Sequence, residues 1–136
     1  MSKKILWIED DYYHLQGLIR PLLDLGFIID YAESYNEALE SLKNWQIYDL
    51  IILDLLLPNM QEKYSNEKLE PYHYGKKLFY HMKELGVNKP ILIISIVQFK
   101  DIINELLNNG ASMHLEKIDL LPFQVKEAIC SLLDKK

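Results

Sequence analysis

The chain has 136 residues, 49% of them hydrophobic and 26% charged, with a formal net charge of −5. That length suits one domain with its own core, and Cys130, the only cysteine, leaves no intramolecular disulfide to staple it. An acidic chain without a Lys/Arg stripe is not built for direct nucleic-acid binding, and no stretch approaches the roughly 20 apolar residues that span a bilayer, so membrane insertion is not expected either.

The first residues lead directly into residues 4–8 (KILWI), which read as a buried strand and are too short for the apolar core of a signal peptide. Residues 12–25 carry Leu15, Leu18, Ile19, Leu22 and Leu23 at helical spacing, with Pro21 as a point of bending and Gly26 as a stop. Residues 27–31 (FIIDY) read as a second strand, and Ser34 with Glu37 forms a capping box that opens a helix to about residue 44. Residues 49–53 (DLIIL) are nearly all apolar, as expected of a strand covered on both faces. A polar stretch runs from Asn59 to Glu70, and residues 72–85 then read as a helix stopped by Gly86. Residues 90–97 (PILIISIV) form a fourth strand. Residues 99–109 carry Ile102, Ile103, Leu106 and Leu107 on one helical face. Residues 112–115 are a short fifth strand, and residues 121–134 a last helix with Pro122 in its first turn.

Strand and helix alternate five times. This rhythm predicts an α/β fold, a parallel sheet with helices on both faces, as a single domain over residues 1–136. Chemistry in such sheets collects at the carboxyl ends of the strands. Glu9, Asp10 and Asp11 stand at the end of the first strand, Asp54 at the end of the third, Ser95 at the end of the fourth and Lys117 just after the fifth. Clustered carboxylates favour a hard divalent cation such as magnesium, and a carboxylate can itself act as nucleophile and become an aspartyl phosphate. An acid after a strand also serves as the cap of the next helix, a role open to Asp10 or Asp11. The four histidines, His14, His73, His81 and His114, lack zinc-ligand spacing, and Cys130 and Trp7 read as packing residues.

Along nearly its whole length the chain resembles the receiver domains of two-component response regulators. The resemblance rests on the opening Ile5-Leu6-Trp7-Ile8-Glu9-Asp10-Asp11, on Asp54-Leu55-Leu56-Leu57-Pro58, on Ser95 closing the fourth strand, and on Gly110-Ala111 followed by a short strand and Lys117. It implies a five-stranded flavodoxin-like (βα)5 fold with strand order 2-1-3-4-5. It implies that Asp54 accepts a phosphoryl group, with Mg2+ held by Asp10, Glu9, Asp54 and the backbone carbonyl of Leu56. Lys117 would contact the phosphoryl oxygens, and Ser95 would hydrogen-bond the phosphoryl group and couple it to loop movement. The implied donor is a sensor histidine kinase or a phosphotransfer protein in the cytoplasm, and a homodimer is compatible with this reading. Such a domain is not an enzyme beyond its own phosphorylation and dephosphorylation.

The sequence departs from the family pattern in four places. Ile118 follows the lysine where a proline is usual, Ile96 follows Ser95 where a small residue is usual, and His114 takes a strand-five position often held by an aromatic residue. The glycine usual a few residues beyond Pro58 corresponds to Gly75, which implies an insertion within residues 59–74, with Tyr64, Tyr72 and Tyr74 flanking it. Ile96, Ile118 and the long loop argue for an alternative, a pseudo-receiver that acts as a phosphorylation-independent interaction module, while the intact Asp54, Asp10 and Lys117 argue against it. A flavin-binding domain of the same architecture is disfavoured, because residues 9–14 are acidic and aromatic where a phosphate cradle would be needed.

Overall fold

A computed structural model describes residues 2–57 and 71–134. Five parallel strands, β1 (Lys4–Ile8), β2 (Ile28–Ala32), β3 (Leu50–Asp54), β4 (Ile91–Ser95) and β5 (Met113–Glu116), form one sheet in the order β2-β1-β3-β4-β5. Between and after them run α1 (Tyr12–Asp24), α2 (Tyr35–Leu42), α3 (His73–Leu85), α4 (Lys100–Asn108) and α5 (Pro122–Asp134). Fold class and strand order are those expected.

Period-two alternation divides the core into two layers. Leu6, Ile8, Ile51, Leu53, Ile91 and Ile93 face α2, α3 and α4, where they meet Leu42, Leu78, Phe79, Met82 and Leu106. Ile5, Trp7, Leu50, Ile52, Leu92 and Ile94 pack with Leu15, Leu18 and Leu22 of α1 and Val125, Ile129 and Leu132 of α5. Every residue of β3 and β4 is buried, which explains why those segments read as continuous apolar runs.

The element ends differ from the sequence reading by small, physical margins. The second strand begins at Ile28, because the Phe27 N–H bonds back to the Leu22 carbonyl and closes α1, while Ile28 pairs with Lys4. The fourth strand ends at Ser95, after which Val97–Phe99 winds into a 3-10 turn that leads to α4. α1 runs through Pro21, whose carbonyl accepts the Leu25 N–H at 3.2 Å. Ser34 caps α2 as expected, accepting the Glu37 N–H at 3.2 Å. The insertion expected within residues 59–74 lies mostly outside the described residues, which resume at residue 71; Gly75 sits in the first turn of α3. No helix among the described residues is long and apolar enough to cross a membrane.

Candidate functional site

The strand order reverses between β1 and β3, and in open parallel sheets that reversal opens a crevice beyond the strand ends. Asp54 closes β3, and Glu9 and Asp10 follow β1, so the fold delivers all three carboxylates to that crevice. Oxygens of Glu9, Asp10 and Asp54 lie within 4.8 Å of one another. Glu9 and Asp54 are buried, at 4% and 1% exposure, and Asp10 is exposed. Asp11, the fourth acid of the neighbourhood, does something else: its side chain caps α1 by accepting the His14 N–H at 3.0 Å. The capping role open to Asp10 or Asp11 thus falls to Asp11.

Lys117 arrives from the loop after β5. Its Nζ lies 2.6 Å from Asp54 Oδ2 and 3.1 Å from Glu9 Oε1. The other Asp54 oxygen, Oδ1, accepts the Leu56 N–H at 2.9 Å. The carboxylate is thereby clamped from both sides, by an ammonium and by backbone. Lys117 itself is placed by its own N–H, which bonds the Ser95 carbonyl at 3.0 Å. His114 Nε2 lies 3.2 Å from the same carbonyl. Ser95 is 1% exposed, and among the described residues its Oγ has no hydrogen-bond partner. A buried hydroxyl left without a partner is costly and is usually explained by something absent from the protein alone. Beyond Lys117, Asp119 turns the chain with a left-handed φ of 61°, a conformation Asp tolerates better than most residues.

Three carboxylates face one ammonium, and the imbalance appears in their protonation. Burial first, then hydrogen bonding and charge repulsion from Asp54, push the Glu9 carboxyl up to about 9, against the opposing pull of Lys117. Burial and the Asp54 charge also raise the Asp10 carboxyl. For Lys117 burial acts to lower the ammonium, but Asp54 and Glu9 outweigh it and the net direction is upward. The arrangement fits a divalent cation: hard oxygen donors, closely spaced, with negative charge that one lysine does not balance.

A carboxyl raised in the folded state favours folding fully below its unfolded value, and that contribution is lost as pH rises through the folded value. Without metal, the thermal midpoint is therefore expected to fall between about pH 5 and pH 9 as Glu9 is forced to ionise, and magnesium is expected to flatten the slope. Thermal unfolding in chelator and in magnesium buffer checks this. A midpoint that climbs across that window in chelator would contradict the charge imbalance described.

Glu9, Asp10, Asp54, Leu56, Ser95 and Lys117, expected from the sequence to act at the site, lie at this rim, while Asp11, read from the sequence as part of the same acidic cluster, caps α1 instead. Two features had no sequence signal. One is the Leu56 N–H bond to Asp54, a backbone contact that any residue except proline could make. The other is the direct pairing of Glu9 with Lys117 across 108 positions.

Comparison with known proteins identifies the family and the fold. The family model described as response regulator receiver domain matches residues 5–126. The chain is 30% identical over 129 residues to the transcriptional regulatory protein QseB of Escherichia coli, covering 95% of this chain and 51% of that protein. It is 28% identical over 128 residues to the transcriptional regulatory protein CrdR of Helicobacter pylori, covering 93% of this chain and 52% of that protein. It thus spans about half the length of these curated relatives. A two-component response regulator structure from Clostridium difficile superposes with a TM-score of 0.77 at 25% identity, covering 98% of both chains.

Proposed function

The chain belongs to the response regulator receiver domain family, and from that premise we propose that it receives a phosphoryl group on Asp54 from a histidine kinase or phosphotransfer protein, with Mg2+ bound beside it. The observation that carries this reading is the clamped Asp54 carboxylate, buried, held by Lys117 and Leu56, and placed within reach of two further acids. In phosphoryl transfer the protein contributes chiefly position and charge. An Asp54 oxygen would bond to phosphorus as the donor's phosphorus–nitrogen bond breaks, the leaving imidazole keeping the electron pair and taking up a proton. Lys117 would then move from the carboxylate to the new phosphoryl oxygens. The Ser95 hydroxyl, without a partner among the described residues, would donate to one of those oxygens, and its carbonyl links that contact to Lys117 and His114.

Asp10, Glu9, Asp54 and the Leu56 carbonyl would hold the cation, which when bound neutralises the negative charge that accumulates as an anionic donor approaches. Labelling by acetyl phosphate is accordingly expected to require magnesium and to be lost in excess chelator. Asp10→Ala is expected to weaken magnesium binding most among the three acids, because its exposed carboxylate has no ammonium partner among the described contacts. Equal labelling with and without chelator would show that the metal plays no such part.

The two curated relatives are transcriptional regulatory proteins of which this chain spans about half, and we infer that the domain acts on transcription through a further segment or a partner protein and not by contacting nucleic acid with its own acidic surface.

A further inference from the structure

Gly75 lies in the first turn of α3, and no side chain could be built there without conflict. A Cβ on Gly75 would sit 2.5 Å from Leu55 Cα, 2.5 Å from the Leu55 carbonyl oxygen and 2.8 Å from the Leu55 carbonyl carbon. Ordinary carbon contacts lie at about 3.5–4.0 Å. The helical backbone at this position needs no left-handed φ, so the glycine is required for space and not for conformation. What occupies that space is the backbone next to the acceptor.

The Leu55 carbonyl and the Leu56 N–H belong to one planar peptide unit. One edge of the plane rests against Gly75, and the opposite edge donates to Asp54 Oδ1 at 2.9 Å. We propose that Gly75 is a positioning residue for the acceptor: by lacking a side chain it seats α3 against this peptide plane and so fixes the orientation of the Asp54 carboxylate. Neither neighbour can yield easily. The Leu55 side chain is fully buried and anchors its Cα, and α3 is anchored by buried Leu78, Phe79 and Met82. A methyl group at position 75 must therefore turn the peptide, and turning it swings the Leu56 N–H away from Asp54.

The inference rests on Asp54 being the acceptor, and its test separates the two. In Gly75→Ala, phosphate uptake from acetyl phosphate at saturating magnesium is expected to fall about 10- to 100-fold per folded molecule, the scale of loss from an ångström of misplacement. The Leu56 amide resonance is expected to move with it. Leu132→Ala, which hollows the core layer under α5 on the opposite face of the sheet, is expected to lower stability yet keep uptake within about twofold, since it touches neither α3 nor the peptide. Adding Leu55→Ala to Gly75→Ala is expected not to restore uptake, because the conflict is with backbone atoms. Parental uptake by folded Gly75→Ala, an unmoved Leu56 resonance, or rescue by Leu55→Ala would each overturn the proposal. Should Gly75→Ala fail to fold, hydrogen exchange in the parent decides: the Leu56 amide is expected to exchange only when the first turns of α3 open, and free exchange while α3 stays protected would refute it. A parent that takes no phosphate at all would sink the acceptor reading, while the exchange measurement would still judge the contact.

Discussion

Asp54→Asn is expected to reduce phosphate uptake to background while leaving the fold in place. The amide keeps an oxygen to accept the Leu56 N–H, and Lys117 keeps Glu9 as a partner at 3.1 Å. Removing one of three crowded carboxylates also relieves repulsion, so the stability change should be small, about 1 kcal/mol in either direction. The chemistry has no such substitute, because the amide is not a nucleophile toward phosphorus. A second consequence is independent of labelling. Asp54 contributes to the raised Glu9 carboxyl through both hydrogen bonding and charge, so the fall in stability with rising pH should be shallower in Asp54→Asn. Full labelling of this variant would move the acceptor elsewhere.

Lys117→Ala is expected to have the largest combined effect on stability and activity. The ammonium is the single cation in direct contact with Glu9 and Asp54 among the described residues. Removing one partner of a buried ion pair typically costs about 3–5 kcal/mol, because a charge is left buried and unpaired. Here protonation of Glu9 offsets part of that cost, and the loss should be smallest at low pH and in magnesium. Loss of a positively charged contact to the transferring group should slow uptake by about 10²–10³, the range seen when one preorganised donor is removed from an active site. Chemical denaturation across pH and initial labelling rates measure the two effects separately. A variant as stable as the parent in chelator at about pH 8 would show that the buried carboxylates are balanced by something other than Lys117.

Much of this architecture can be read from the chain because burial is so uneven. β3 and β4 lie between two helical layers and leave no polar residue before Asp54 and Ser95, so the first polar side chain of each marks both the strand end and the site. β5 is only half-buried throughout, and the short run at residues 112–115 correspondingly located it one residue early. The strand order came through the resemblance and not through periodicity, since a repeating strand–helix rhythm fits more than one order.

Within the site, residue identity was legible and division of labour was not. Asp10 and Asp11 are the same residue type one position apart. The turn into α1 sends one to the crevice and the other to the His14 N–H. Glu9 reads from sequence as a metal-side acid. Its burial and its pairing with Lys117 depend on contacts between chain segments far apart, which no local pattern encodes. The contact between Gly75 and Leu55 belongs to the same class. A glycine near a helix start suggests many things, and only the packing of α3 on the β3 end assigns it one.

On the proposed function this domain carries phosphate on Asp54. Intact mass spectrometry after incubation with acetyl phosphate and magnesium tests it most directly. The expected result is a gain of the mass of one phosphoryl group, lost on treatment with mild base or hydroxylamine and absent in Asp54→Asn. A parent protein that stays at its unmodified mass under conditions where magnesium is bound would contradict it.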